Sequence, residues 1–457
     1  VDTIRSSSSS SSTSQKSGGG GGGTSSRAFP LAGPRRHLHF DPTQVNAAVV
    51  TCGGLCPGLN NVIREIVHTL TYQYGVSDTN IYGIVGGFRG FHQNIIDDED
   101  EQHDEERGKK LFEPLKLTND VVKDIHHDGG TLLRSARGGF DVDEIIDFLS
   151  TNKINQLYVI GGDGTHRAAY RIHQECSARN LNVAVAGIPK TIDNDIDYID
   201  RSFGFQSSVE AAQLAIRTAK VEASSTVPNA VSVVKLMGRS AGFLASFAAL
   251  GSGDVDAVLV PEVPIVLDGP SGILPFIRKR VKEQDHAVVV VAEGAGEELL
   301  GESSVKDKGG NKALPPIGEY MKEQIIQHFD EHGEEATVRY IDPSYTVRSV
   351  PANAADSLYC MQLAQNAVHG AMAGLTGFAS GMMNNQPVYV PIPKLVSTSP
   401  RSMDPTGPTW EQILAMTGQP NTVEILLEDE GEEEEGVGDG NDADVIEEAP
   451  FPEPTLF

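Results

Sequence analysis

Between Ala47 and Gly294 short apolar runs recur, most of them ending on glycine: Ala47 to Val50 ahead of Gly53-Gly54, Ile81 to Gly87, Leu157 to Gly162, Val183 to Gly187, Val231 to Gly238, Ala257 to Val260, and Ala287 to Gly294. Runs of this length without polar alternation need cover on both faces, which a parallel sheet flanked by helices supplies. The stretches between them supply the helices, as with Val62, Ile63, Ile66, Val67 and Leu70 at helical spacing.

The reading is therefore α/β, and 457 residues exceed what one core usually spans. We expect two Rossmann-like three-layer αβα domains with mainly parallel sheets and the active site in the cleft between them. The expected divisions are a disordered leader over 1–41, a nucleotide-binding domain over 42–205, an acceptor-binding domain over 206–395 with the chain crossing between the two, and a Pro-rich and acidic tail over 396–457. The leader holds Ser7 to Ser12 and Gly18 to Gly23, which cannot bury a core. It reads as a plain flexible tail in preference to a transit-peptide remnant.

The formal charge of −27 is concentrated in two runs. Residues 97–106 carry 8 acids and residues 424–448 carry 13, and removing those 21 charges from −27 leaves about −6, ordinary for an enzyme body. Such runs repel themselves and are expected to be solvated. The balance excludes nucleic acid as a partner, and no apolar run approaches the roughly 18 residues of a membrane helix. Cys52, Cys56, Cys176 and Cys360 are too few and too scattered for a disulfide framework, which suits a reducing compartment. Cys52 and Cys56 lack two further spaced ligands and read as packing residues.

Two segments carry the chemistry. Gly161-Gly162-Asp163-Gly164-Thr165 follows an apolar strand, where glycines let backbone N–H groups approach a phosphate and Asp163 suits Mg²⁺. A tight turn with an Asx-type aspartate is its structural alternative. Gly164 leaves room for a nucleotide's inner phosphate, which a carboxylate would repel. Pro189-Lys190-Thr191-Ile192-Asp193-Asn194-Asp195 is more specific. Asp193 and Asp195 share one face of an extended segment, and their mutual repulsion should raise at least one pKa. One can take a proton from a hydroxyl, while Lys190 offers a point charge to a phosphoryl oxygen.

Lys235-Leu236-Met237-Gly238-Arg239 ends a third strand with a guanidinium able to grip phosphate bidentately, though a surface ion pair would also use Arg239. Glu293, after Ala287 to Ala292, suits a sugar hydroxyl or a helix cap. Arg339, Tyr345 and Arg348 add two cations and a phenol. Strand alternation would set Tyr345 opposite Arg348.

The ordered set resembles the ATP-dependent 6-phosphofructokinases, specifically the plant-type branch, over roughly residues 34 to 392. The matching stretches are Ala32 to Arg36, Val50 to Asn60, Gly86 to Phe91, Arg137 to Gly139, the two segments above, Lys235 to Arg239, and Ala364 to Gly374. The resemblance implies transfer of the ATP γ-phosphoryl group to the 1-hydroxyl of fructose 6-phosphate in glycolysis, by an allosteric cytoplasmic homo-oligomer, dimer or tetramer, with the plastid stroma as the alternative compartment. It implies Asp193 as proton acceptor beside Thr191, Asp195 and Lys190. Gly53, Arg137, Gly138, Gly162, Asp163, Gly164 and Thr165 would contact ATP, with Asp163 on Mg²⁺. Thr191, Ile192, Asp193, Met237, Gly238, Arg239, Glu293, Arg339, Tyr345 and Arg348 would hold the sugar phosphate.

Pyrophosphate-using relatives carry Asp where this chain has Gly164 and Lys where it has Lys190, whereas bacterial ATP enzymes have Gly at the latter position; the combination of Gly and Lys is that of plant-type ATP enzymes, so ATP is the expected donor. The chain departs from bacterial relatives at Val227-Pro228-Asn229-Ala230, where they have an Arg that reaches a neighbouring subunit, and at Leu55, where they have Asp. His166-Arg167-Ala168-Ala169 departs from plant relatives, which usually have Gly before the last Ala. The alternatives are a pyrophosphate-dependent enzyme and a non-catalytic regulatory subunit. A nicotinamide-dinucleotide or lipid kinase would account only for the Gly-Gly-Asp-Gly turn.

Overall fold

A computed structural model describes residues 3–5, 28–92, 112–301, 314–423 and 455–456. The two acidic runs and the Ser- and Gly-rich stretches of the leader lie outside the described residues.

Eleven strands build two sheets. The larger takes β1 (Ala47–Thr51), β2 (Ile81–Ile84), β3 (Leu115–Lys116), β4 (Gln156–Gly161) and β5 (Ala184–Pro189). The smaller takes β6 (Ala230–Leu236), β7 (Ala257–Leu259), β8 (His286–Ala292) and β9 (Thr337–Ile341), after which β10 (Phe378–Met383) and β11 (Gln386–Pro391) return to the larger. The larger sheet runs β11-β10-β5-β4-β1-β2-β3, parallel from β10 to β2 with an antiparallel strand at each edge. The smaller runs β9-β6-β8-β7 and is parallel throughout. Residues of the expected 206–395 span thus divide between the two sheets.

Side-chain period explains the layers. Ala47 and Val49 enter one core cluster with Tyr158 and Ile160, while Ala48 and Val50 enter another with Leu157 and Val159. Each strand is therefore apolar on both sides, as its unbroken run requires. The smaller sheet repeats this, with Val234, Leu236, Val288 and Val290 facing one cluster and Val231, Val233, Val289 and Val291 the other. Burial of each Val, Leu or Ile among them is worth roughly 1.5–3 kcal/mol before chain entropy is charged against it.

Three expectations are corrected. The last part of the leader is built into the molecule: Phe29 is buried, and Ala32 donates its N–H to Pro387 at 2.8 Å. The start of the tail is not an appendage either. It forms a helix over Pro408–Thr417 whose Trp410 and Ile413 enter a core cluster of the smaller sheet. The third concerns Arg339 to Arg348. Strand β9 stops at Ile341, because Asp342 accepts the Ser344 N–H at 3.0 Å in an Asx turn, and a short helix follows over Ser344–Ser349.

Candidate active site

Parallel strands deliver their loops at one edge, and register decides which loops meet. Gly161 is in register with Pro189, and Lys190 donates its N–H to the Gly161 carbonyl at 2.9 Å. The Gly161–Thr165 turn and the 189–195 segment therefore leave neighbouring strands at one level. In the smaller sheet Leu236 is in register with Ala292, and Glu293 donates its N–H to Leu236 at 2.9 Å. A Cβ at Gly294 would stand 1.8 Å from the Arg239 carbonyl, so only glycine allows the two turns this approach. The sheets meet where the Arg239 N–H donates to the Asp193 carboxylate.

A cleft of about 460 Å³ opens at this junction. Most of the expected residues line it: Gly53, Arg137, Gly138, Gly162 to Thr165, Lys190 to Asp193, Asp195, Met237 and Arg348. Phe88 and Phe140, edge to face at 5.3 Å, add an aromatic wall that the motif reading did not assign a role. Gly238, Arg239 and Glu293 do not line it, although the charges of Arg239 and Glu293 reach Asp193. Burial pushes the Glu293 carboxyl up, against the pull of Lys235 and Arg239.

Asp193 as a whole is only partly buried, between the buried Ile192 and Asn194. Its Oδ1 is shut away from solvent without a hydrogen-bond partner, and its own N–H is held by Thr191 Oγ1 at 3.1 Å. Burial first, then the charges of Asp195 and Glu293, push its pKa up to about 8, with Arg239 opposing. Asp195 is also raised, chiefly by burial, while a hydrogen bond from Thr191 pulls it down. The expected repulsion is thus present, as a smaller contribution than desolvation. Asn194 between them adopts a left-handed φ of 57°, so the segment is kinked where the sequence reading had it extended.

Lys190 is buried, and its ammonium donates to the Gly54 carbonyl in the first glycine loop. Desolvation lowers its pKa. Burial raises the neighbouring Cys52 thiol to about 12, and Cys56 higher still, so both thiols stay protonated and pack.

Asp163 opens the helix Asp163–Ala178 and pairs with Arg167 at 3.2 Å. It lies close enough to Asp195 to raise that carboxyl. Among the described residues no group of three or more His, Cys, Asp or Glu converges to hold an ion unaided. One or two carboxylates that need phosphate oxygens to complete the shell are what Mg²⁺ accepts, so Asp163, with Asp195 near it, fits that ion.

Two expected residues stand apart. Arg339 pairs with Glu222 at 2.9 Å on the helix Phe205–Ser224 and does not line the cleft. Tyr345 is 75% exposed at the rim, yet its helix places it three residues from Arg348, whose guanidinium lies 4.8 Å over its ring. The two share a face, contrary to the strand reading, and the Arg348 Nε is buried without a partner.

A phosphofructokinase family model matches residues 46–371. The chain belongs to the phosphofructokinase family. Among its relatives, ATP-dependent 6-phosphofructokinase 7 of Arabidopsis thaliana is 46% identical over 396 residues, which cover 86% of this chain and 77% of that one. Two solved phosphofructokinases share the fold. The Pichia pastoris enzyme in the T-state has a TM-score of 0.59 at 21% identity, covering 82% of this chain and 37% of that chain. The pyrophosphate-dependent enzyme from Marinobacter aquaeolei has a TM-score of 0.64 at 18% identity, covering 82% and 91%. At those identities the likeness concerns the fold alone. Among the described residues of this phosphofructokinase no helix is long and apolar enough to cross a membrane.

Proposed function

We propose that this phosphofructokinase transfers the γ-phosphoryl group of ATP to the 1-hydroxyl of fructose 6-phosphate, giving fructose 1,6-bisphosphate and ADP. The observation that carries the reading is Asp193, a partly buried carboxylate whose Oδ1 is shut from solvent without a partner, in one cleft with the Gly162–Thr165 turn. Asp193 takes the proton of the 1-hydroxyl, the resulting alkoxide oxygen attacks the γ-phosphorus, and the bond from that phosphorus to the ADP oxygen breaks. Thr191 and Asp195 hold the Asp193 loop, and Lys190 and Arg137 supply positive charge to the phosphoryl oxygens.

The turn from Gly162 to Thr165, with Gly53 and Gly138, cradles the nucleotide, and the aromatic wall of Phe88 and Phe140 suits a base. Mg²⁺, held by Asp163, would neutralise charge on the β- and γ-phosphates. Met237, Gly238, Arg239, Glu293, Tyr345 and Arg348 face the sugar phosphate from the other side. In isolation a buried, unpartnered guanidinium nitrogen is costly, which makes Arg348 a natural seat for the 6-phosphate. Arg348→Ala is expected to raise KM for fructose 6-phosphate about tenfold or more while kcat changes less than threefold. Equal loss in both parameters would place Arg348 on the reacting atoms instead.

The donor is tested by steady-state assay with ATP and with pyrophosphate. We expect kcat/KM to favour ATP by about 10² or more; a preference for pyrophosphate overturns the donor reading. No turnover with either donor would favour a regulatory subunit. We further read the chain as part of a homo-oligomer, dimer or tetramer, on the exposure of Leu214 and Val221 along one helix. Its four free, buried cysteines suit a reducing compartment, the cytoplasm or the plastid stroma.

A further inference from the structure

Residues 399–403 lie beyond the stretch matched by the family model, in the tail that the sequence leaves without pattern. They nevertheless thread between the loops of both sheets. On the side of the larger sheet the Arg401 N–H donates to the Asp195 carbonyl at 2.8 Å, its Nε to the Asn194 carbonyl at 3.1 Å, and a terminal nitrogen to the Ile199 carbonyl at 3.2 Å. Ser399 Oγ accepts the Asp197 N–H at 3.0 Å. The Ser399 carbonyl accepts from Arg167 at 3.2 Å, the same guanidinium nitrogen that donates to Asp163 at 3.2 Å.

On the side of the smaller sheet Ser402 Oγ donates to the Ser240 carbonyl at 3.2 Å, one residue past Arg239. Met403 donates its N–H to Glu262 at 2.8 Å, and that carboxylate also accepts the Gly242 N–H at 2.9 Å. The Arg401 guanidinium lies 5.3 Å over the ring of Phe243. One short segment therefore touches the Asp163 turn, the Asp193 loop and the Arg239 turn together.

We propose that residues 399–403 are a strap that positions the two halves of the active site, with Arg401 as its principal positioning residue. The proposal deepens the phosphotransfer reading above and rests on it. Asn194 is in a left-handed conformation, which asparagine adopts more readily than most non-glycine residues, and its Oδ1 accepts the Ser202 N–H at 2.9 Å, so its side chain is fixed on one side of the loop. The backbone anchor is Arg401, whose guanidinium holds the Asn194 and Ile199 carbonyls while its backbone N–H holds that of Asp195. That grip sets the direction in which the Asp193 carboxylate points. The charged groups around Arg401 are Asp195, Asp197 and Asp200. Those around the Asp193 and Asp195 carboxyls are Asp163, Glu293, Arg239 and Arg401.

The test compares wild type, Arg401→Lys and Arg401→Ala in the full-length chain. Arg401→Ala is expected to lower kcat about 30-fold or more, with both KM values within threefold and the melting temperature within a few degrees. Arg401→Lys keeps the charge but not the fork, so kcat should fall about threefold to tenfold. Loss of kcat in proportion to unfolded protein would reduce Arg401 to a structural residue. Should the alanine variant fail to fold, a lysine variant with wild-type kcat overturns the proposal by itself. Wild-type turnover with ATP and fructose 6-phosphate in the same series tests the underlying reading separately.

Discussion

Asp193→Asn is expected to lower kcat by roughly 10²–10⁴ with small changes in either KM, because a positioned base is worth about that much and the amide keeps the shape of the carboxyl. The same substitution should stabilise the fold at alkaline pH. In the folded chain Asp193 ionises only near 8, whereas in the unfolded chain it does so near the ordinary value of about 4. Between those values the folded state holds a proton that the unfolded state has lost, so wild-type stability falls as pH rises through this window and levels off above it. Asn carries no such dependence. The melting temperature of the variant should match that of wild type near pH 4 and exceed it by about 2 °C or more at pH 9. Wild-type kcat/KM should climb to about pH 8 and flatten, and the variant should lack that limb. A flat wild-type profile from pH 6 to 9, or an asparagine variant with near-normal turnover, would remove Asp193 from the role of base.

The place of Asp193 in the cleft was legible in the sequence because the features that put it there are local. An apolar run that must be covered on both sides fixes β4 and β5 as central parallel strands, and their C-terminal edges then carry Gly162 to Thr165 and Lys190 to Asp195 automatically. What escaped depends on partners far away in the chain. Arg339 looked like a ligand because it sits near Tyr345 and Arg348, but Glu222 on another element claims it. The helix over Ser344–Ser349 had a signal in Asp342-Pro343-Ser344, which is a turn sequence; reading strand alternation through it set Tyr345 and Arg348 on opposite faces. Trp410 and Ile413 become core residues only because the smaller sheet offers a face for their helix. Arg401 carries no motif at all, since its partners are carbonyl groups, and carbonyls are the same at every position.

Gly164→Asp should leave the fold intact and cost about 10²–10³ in kcat/KM for ATP. Glycine at this position has no packing reason: no atom lies within 4 Å of the place a Cβ would occupy, and its φ is not of the kind that demands glycine. A side chain there projects into open space over the turn that Asp163 begins. Asp163 and Asp195 already make that end of the cleft negative, and a third carboxylate would face whatever phosphate rests on the turn. At a separation of about 4 Å near a protein surface, two like charges cost about 4 kcal/mol before salt and Mg²⁺ reduce it, which sets the size of the expected loss. Gly164→Asn adds nearly the same bulk without charge, and Gly164→Ala adds only a methyl group. Their losses should be smaller, in the order Asp, Asn, Ala, and all three melting temperatures should stay within about 2 °C of wild type. The ratio of kcat/KM for ATP to that for pyrophosphate should fall more than tenfold in the aspartate variant, since only the nucleotide must seat an inner phosphate there. Should that variant use ATP within threefold of wild type, the nucleotide does not lie on this turn, and the side-chain-free position would have lost its explanation as the determinant of the donor.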